Sequence, residues 1–204
     1  MNYKPIIMGA DSIRAILDKK KTMTRRVVKE QSRLREPQEE YGNMVVTAEY
    51  FNQYGSWQEW VPNAKTMGCP YGHIGDRLWV KEAFALWTDS PHCVAYKADE
   101  MHYDAIDDVF WKDEVDITSI AVDGKWKSPL YMPRWASRIT LEITDIKVER
   151  LQDITEEDAK AEGYSRVDEY AWAWDALNAK RGYQWESNPW VWVVSFVLVD
   201  ERRK

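Results

Sequence analysis

The strand pattern between residues 138 and 150 is the sequence feature that most restricts the fold. Apolar side chains alternate on odd positions up to Ile143 and on even positions from Ile146 onward, so the alternation changes phase near Thr144. Successive side chains of a strand point to opposite faces of a sheet, and a change of phase therefore predicts a β-bulge or a sharp bend. Strands that bend in this way often wrap a small β-barrel, which we expect here.

Two further strands are indicated outside this segment. Residues Gly75–Phe84 are predicted as a turn that continues into a strand, because Leu78 and Val80 alternate with more polar neighbours. The segment Trp190–Val199 is almost entirely apolar and follows the turn signal Ser187-Asn188-Pro189. We expect this C-terminal strand to be the most buried strand of the core.

Two helices are predicted between the bent strand and the C-terminal strand. The first begins at Thr155, where Asp158 completes a capping-box pattern three residues later, and it ends at Gly163. The second extends from Val167 to Lys180, with apolar residues at helical spacing. Together with the strands, these helices predict an α+β fold.

The chain is expected to form a single domain, since its 204 residues are close to the usual size of one domain. Two polar, turn-rich segments without sustained periodicity, residues 31–68 and 98–130, are predicted to be loop insertions around the core. No segment has the roughly 18 consecutive apolar residues of a membrane span, and the first residues lack the apolar core of a signal peptide. We therefore expect a cytoplasmic protein without a membrane partner.

The distribution of charge indicates a phosphate-bearing ligand. The net charge is -6, yet residues 1–36 contain ten basic and four acidic residues, whereas the remaining chain contains 18 basic and 30 acidic ones. A basic surface on an acidic body favours selective binding over general coating of nucleic acid. The chain also contains 12 tryptophans and 11 tyrosines, and some of these rings are candidates for stacking on bases.

The basic residues are concentrated at positions 19–26, after a short helix whose caps are predicted at residues 11–12. Cations in the last turn of a helix complement the helix dipole, and this accounts for Lys19 and Lys20. In an extended segment alternate side chains share a face, so Thr24 and Arg26 would point together, with Lys21 at the turn before them. The chemistry alone is compatible with an anion-binding site and with a solvated basic surface.

Several of these segments together resemble the ASCH domain family, a group of small PUA-like β-barrel proteins. The family motif is G-x-K-x-x-T-x-R, and Lys21, Thr24 and Arg26 stand at the matching positions, with Lys19 in place of the usual glycine. The resemblance covers more than half of the chain. It also includes Gly75–Glu82, Leu151–Thr155, Met132–Arg138 and Asn188–Trp192, of which the last two are similar to ASCH proteins of bacteriophages and prophages.

The resemblance implies a barrel with a cleft that accepts RNA, DNA or a nucleotide. Small bacterial members are amidohydrolases that deacetylate acetylated cytidine, while other members are ribonucleases or bind nucleic acid without cutting it. Some phage members are connected with morphogenesis. The expected function is therefore nucleotide or nucleic-acid binding in a bacterial or phage-infected cell, with amide hydrolysis or a role in phage assembly as alternatives.

The family pattern implies catalytic roles for Lys21, Thr24 and Glu162. Thr24 would attack the amide or hold the attacking water, Glu162 would act as the base, and Lys21 would activate the threonine or bind the oxyanion. The alternative is that Glu162 only forms a salt bridge with Lys21 or caps its helix. The residues expected to bind phosphate or bases are Lys20, Arg25, Arg26, Trp79 and Trp135.

No metal or cofactor is expected, because the three histidines show no ligand spacing. An acidic segment, residues 104–116, is compatible with a divalent cation site or, more simply, with a solvated insertion. The Trp-rich segment Gln53–Val61 is the candidate contact surface for a role in assembly. The oligomeric state is left open by the sequence.

Overall fold

The computed structural model describes residues 1–29, 31, 38–40, 43–45, 49–51, 57–59, 69–86, 94–101 and 126–199. Within them the chain has an α+β fold, in which helices pack against a mixed five-stranded sheet. In chain order the elements are β1 (Tyr3–Ile7), α1 (Ala10–Leu17), β2 (Met23–Val27), β3 (Gln38–Glu40), β4 (Asn43–Val45), β5 (Glu49–Phe51), β6 (Trp57–Glu59), β7 (Arg77–Lys81), β8 (Phe84–Leu86), β9 (Val94–Tyr96), β10 (Thr140–Arg150), α2 (Glu156–Ala161), α3 (Val167–Asn178) and β11 (Trp190–Val199).

The main sheet has the strand order β1-β7-β10-β11-β2. Strands β1 and β7 are parallel, and every other neighbouring pair in this sheet is antiparallel. The short strands β3–β4, β5–β6 and β8–β9 form separate two-stranded antiparallel sheets. The two expected insertions fall mostly outside the described residues, apart from β3 to β6 and the short stretches at 98–101 and 126–130.

The predicted change of phase in β10 is a β-bulge. Ile143 is paired with Phe196 and Asp145 with Ser195, so Thr144 is the extra residue in the strand. As a result, apolar residues on both sides of the bulge reach the same core, and the prediction is confirmed. These residues are Ile139, Leu141, Ile143, Ile146 and Val148.

Strand β11 is buried on both faces from Trp190 to Val194, which explains its continuous apolar sequence there, whereas Val197 and Leu198 near its end are exposed. Its even-numbered residues from Trp190 to Phe196 belong to the main core, where Ile13 and Ile16 of α1 also pack. Its odd-numbered residues Val191 and Val193 pack under α2 and α3 in a second apolar cluster. The prediction of a deeply buried C-terminal strand is thus confirmed.

The helices agree with the sequence in part. Helix α2 has the predicted capping box between Thr155 and Asp158. Helix α1 begins at Ala10 with Gly9 as its N-cap, so the predicted caps at residues 11–12 lie inside its first turn and that prediction was wrong. Helix α3 ends at Asn178, two residues before the predicted end, and a short 3-10 turn follows it.

The sheet curves around one core, since Ile6 of β1 and Val28 just after β2 lie in the same apolar cluster. Among the described residues no strand pairing joins the edge strands β1 and β2, so the sheet is open there. A side chain spans this opening, because Arg26 Nη2 donates a 2.7 Å hydrogen bond to the carbonyl oxygen of Ile7. No helix in the described ranges is long and apolar enough to cross a membrane.

Candidate functional site

The end of α1 fixes the start of the basic segment. The N–H of Lys20 donates to the carbonyl of Ala15 at 2.8 Å, and the N–H of Lys19 donates to that of Ile16 at 2.9 Å. These two hydrogen bonds form a Schellman motif, which requires a left-handed residue after the helix. Lys19 is that residue, with φ of 59°. It occupies the position that the motif pattern fills with glycine, the residue that adopts this conformation most readily.

Helix α2 also ends in a Schellman motif, and its end lies against the end of α1. Gly163, with φ of 92°, is its left-handed residue, and a Cβ added there would lie 3.0 Å from the Cβ of Ala15. The N–H of Thr22 also donates to the carbonyl of Ala161 at 2.8 Å. The two helix ends therefore meet at Lys21 and Thr22, and this places Lys21 beside Glu162.

Lys21 and Glu162 form a buried ion pair. The Nζ atom of Lys21 lies 2.5 Å from Oε2 of Glu162 and 2.7 Å from the carbonyl oxygen of the same residue. Both side chains are at most 4% exposed. Burial lowers the pKa of Lys21, although the charge of Glu162 opposes this shift. The other carboxylate oxygen of Glu162, Oε1, is buried without a hydrogen-bond partner among the described residues.

Arg25 holds the surrounding carboxylates together. Its guanidinium is fully buried and contacts Glu149 at 2.5 Å, Asp158 at 2.8 Å and Oε1 of Glu162 at 3.7 Å. Burial would lower its pKa, but the neighbouring carboxylates raise it overall. Arg25 is thereby engaged in an internal network that ties β2 to β10 and α2.

A cavity of about 330 Å³ lies beside this network. It runs along β2 between the N-terminal end of α1 and helix α3, and it includes Tyr71 and the turn after α3. Lys21, Thr24 and Glu162 all line it, so the structure brings the three family-implied catalytic residues to one cavity. A volume of this size is at the lower end of the range for small-molecule sites.

The cavity has an excess of positive charge. Besides Lys21 and Arg25, which are neutralised by carboxylates, it is lined by Arg26, Lys29 and Arg181. Within the described part of the chain none of these three forms an ion pair, and Nε of Arg26 is buried without a hydrogen-bond partner. Of the predicted phosphate ligands, Lys20 lies outside the cavity, where it is exposed and paired with Asp18 at 3.0 Å.

The aromatic residues of the cavity are not the predicted tryptophans. Trp79 lies on β7, with the ammonium of Lys81 5.4 Å from its ring, and Trp135 is 52% exposed in a 3-10 turn. Neither ring lines the cavity. The rings that do line it are those of Tyr71, Tyr164, Tyr170, Trp174 and Tyr183. Tyr170 is 5% exposed, and its burial together with the charge of Glu162 raises its pKa well above the usual value.

The sequence contained weak signals for the residues that were missed. Lys29 follows the motif by only three residues, and Tyr164 follows Glu162 by two, so proximity alone could have suggested both. Arg181 comes directly after the predicted end of the second helix, and no pattern links it to the motif. Tyr71 comes from a distant turn, and no periodicity links it to the motif.

Comparison of the chain with protein-family models, with curated proteins and with solved structures gives no match. The described residues contain no group of three or more His, Cys, Asp or Glu side chains arranged to hold a metal ion. The acidic segment 104–116 lies outside the described residues, as does the segment Gln53–Val61 apart from the backbone of β6.

Proposed function

We propose that this protein is an ASCH-type protein that binds a nucleotide, free or as part of RNA or DNA, in the cavity beside β2. The observation that carries the proposal is the excess of cations in a cavity of a protein whose net charge is -6. Arg26, Lys29 and Arg181 have no carboxylate partner among the described residues, so they remain available for a phosphate group.

The aromatic lining supports a base in addition to a phosphate. Tyr71 and Tyr183 are only partly buried at the cavity, and tyrosine rings stack on bases of any sequence. The barrel expected for a PUA-like protein belongs to the same proposal. On its open side, between β1 and β2, the connection is made by the side chain of Arg26 to the carbonyl of Ile7.

The test is a titration of the purified protein with the four ribonucleoside 5′-monophosphates and with short single-stranded RNA and DNA. We expect saturable binding that weakens with salt, because phosphate contacts release counterions. Lys29→Ala and Arg181→Ala should each weaken binding by about tenfold, which corresponds to one charge-assisted hydrogen bond.

Lys20→Ala is the matched control. Like Lys29→Ala it removes one lysine charge, but Lys20 lies outside the cavity. The affinity for the nucleotide should therefore be unchanged. An equal loss in Lys20→Ala and Lys29→Ala would contradict a defined site. Absence of binding by every nucleotide and oligonucleotide would overturn the proposal.

A second candidate function, hydrolysis of an amide such as that of acetylated cytidine, is favoured by the buried Lys21–Glu162 pair. In this scheme Oε1 of Glu162 accepts the proton of the attacking group, since that oxygen lacks a hydrogen-bond partner within the described residues. Thr24 attacks or positions water, and the remaining N–H of Lys21 is directed to the oxyanion.

Turnover of acetylated cytidine tests this second function. Wild-type protein should release acetate, while Lys21→Ala and Glu162→Gln should lower the rate by at least about a hundredfold if the pair performs proton transfer. Glu157→Gln, an exposed change on the same helix, should leave the rate unchanged. Nucleotide binding without turnover would restrict the protein to the first function.

A further inference from the structure

We infer that the open main-chain edge of β2 recognises the base of the ligand, through the backbone N–H and C=O groups of Arg25 and Val27. This inference rests on the proposed nucleotide-binding function and specifies how the base is bound. It assigns recognition to backbone groups along the cavity, in addition to the cationic side chains that would hold the phosphate.

The cavity passes the edge of β2, because it touches both faces of this strand. Four consecutive residues, Thr24 to Val27, line it. Successive side chains of a strand point to opposite faces, so a cavity on one face would contact only alternate residues. The lining also includes Tyr71, which packs on the main core, and Trp174, which packs in the cluster on the other face.

The strand register identifies the backbone groups at this edge. Arg26 is paired with Trp192 of β11 and Thr24 with Val194. The N–H of Val28 donates to the carbonyl of Trp190, which shows that the even-numbered residues direct their hydrogen-bonding groups toward β11.

The odd-numbered residues Arg25 and Val27 therefore direct theirs to the opposite side, where no described strand is paired with β2. No other backbone hydrogen bond from these two residues occurs in the described part of the chain.

A planar base suits this arrangement better than an extended peptide. A ring that is hydrogen-bonded to a strand edge lies near the plane of the sheet, so its two faces turn toward the two faces of the sheet. Tyr71 lies on one of these sides, and Tyr170 and Trp174 lie on the other. A donor next to an acceptor, as one extended residue presents them, also matches the edge of a base. The cavity of about 330 Å³ accommodates a nucleotide and not a strand along the whole edge.

Amide hydrogen exchange measured by NMR tests the inference. In the free protein the amides of Thr24, Arg26 and Val28 should exchange slowly, whereas those of Arg25 and Val27 should exchange fast. Saturation with the tightest-binding nucleoside 5′-monophosphate should slow the amide of Arg25 or Val27 by about tenfold or more. Ribose 5-phosphate, which lacks the base, should leave both amides fast.

A proline substitution provides an independent test. Val27→Pro removes one edge N–H, and proline is tolerated where the N–H of an edge strand points away from the sheet. It should weaken binding of the nucleotide by about three- to tenfold, and binding of ribose 5-phosphate should not change. Val27→Ala removes side-chain atoms but keeps the N–H, so the loss of nucleotide affinity in Val27→Pro should exceed the loss in Val27→Ala.

The outcomes separate this inference from the function on which it rests. Nucleotide binding with both amides still fast would overturn the inference and leave the proposed function standing. Absence of nucleotide binding would overturn both. Slow exchange of Arg25 and Val27 already in the free protein, or protection only by an added extended peptide, would also overturn recognition of a base at this edge.

Discussion

At the scale of single residues, the left-handed conformation of Lys19 is the clearest departure from local preference. Residues with a Cβ avoid this region, and glycine adopts it without cost. Lys19 has φ of 59° because the Schellman motif at the end of α1 requires it. The helix end is therefore specified by packing against α2 rather than by the residue in the turn.

Lys19→Gly should stabilise the protein by about 0.5–1 kcal/mol, because it relieves the left-handed strain and this gain exceeds the added freedom of the unfolded chain. The measurement is the midpoint of urea unfolding. Lys20→Gly removes the same charge from a neighbour without positive φ and should not raise the midpoint. A lower midpoint for Lys19→Gly would contradict this account.

At the scale of elements, the bulge in β10 decides which side chains enter the core. Thr144 is exposed and contributes little by its side chain, yet its presence in the strand keeps Ile146 and Val148 on the inner face. One residue fewer would move them outward and bring Lys147 and Glu149 inward, since the side-chain period of a strand is two.

Deletion of Thr144 should therefore cost more than about 3 kcal/mol, from the lost burial of two apolar side chains alone. We expect loss of cooperative thermal unfolding as measured by circular dichroism. Thr144→Ala keeps the length of the strand and should change stability by no more than about 0.5 kcal/mol. A deletion variant with the wild-type melting curve would show that the bulge is dispensable.

At the scale of the whole molecule, the ion network around Arg25 joins the helices to the sheet and should make stability depend on pH. Burial tends to raise the pKa of Asp158, but its hydrogen bond from the N–H of Thr155 and the charge of Arg25 lower it overall. A carboxyl group with a lowered pKa in the folded state stabilises the fold above its unfolded pKa of about 4. This contribution is lost as the pH falls below that value.

Asp158→Asn should lower stability at pH 7 by about 1–2 kcal/mol and make the loss of stability between pH 5 and about pH 3 less steep. Urea unfolding across this pH range is the measurement. Glu157→Gln, an exposed change in the same helical turn, should leave the pH profile unchanged. Parallel profiles for wild type and Asp158→Asn would exclude Asp158 as a source of the acid sensitivity.

The sequence predicted the features that depend on neighbours along the chain. The bulge at Thr144, the buried strand β11 and the capping box of α2 each follow from residues within one turn or a few strand positions. The sequence did not predict the caps of α1, because Asp11 and Ser12 are equally acceptable inside a first turn. It also did not predict that Lys20 would point away from the cavity.

Local periodicity and motif spacing by themselves determined the α+β class, the position of the bulge and the segment that carries Lys21 and Thr24. Only the tertiary structure decided that Lys21 is paired with Glu162, that Arg25 is engaged by carboxylates, and that Tyr71 and Arg181 share one cavity with them. The physical reason is that charges become buried and paired where helix ends and strands that are distant in sequence meet. The pattern of adjacent residues does not depend on the free energy of such contacts, so it cannot indicate them.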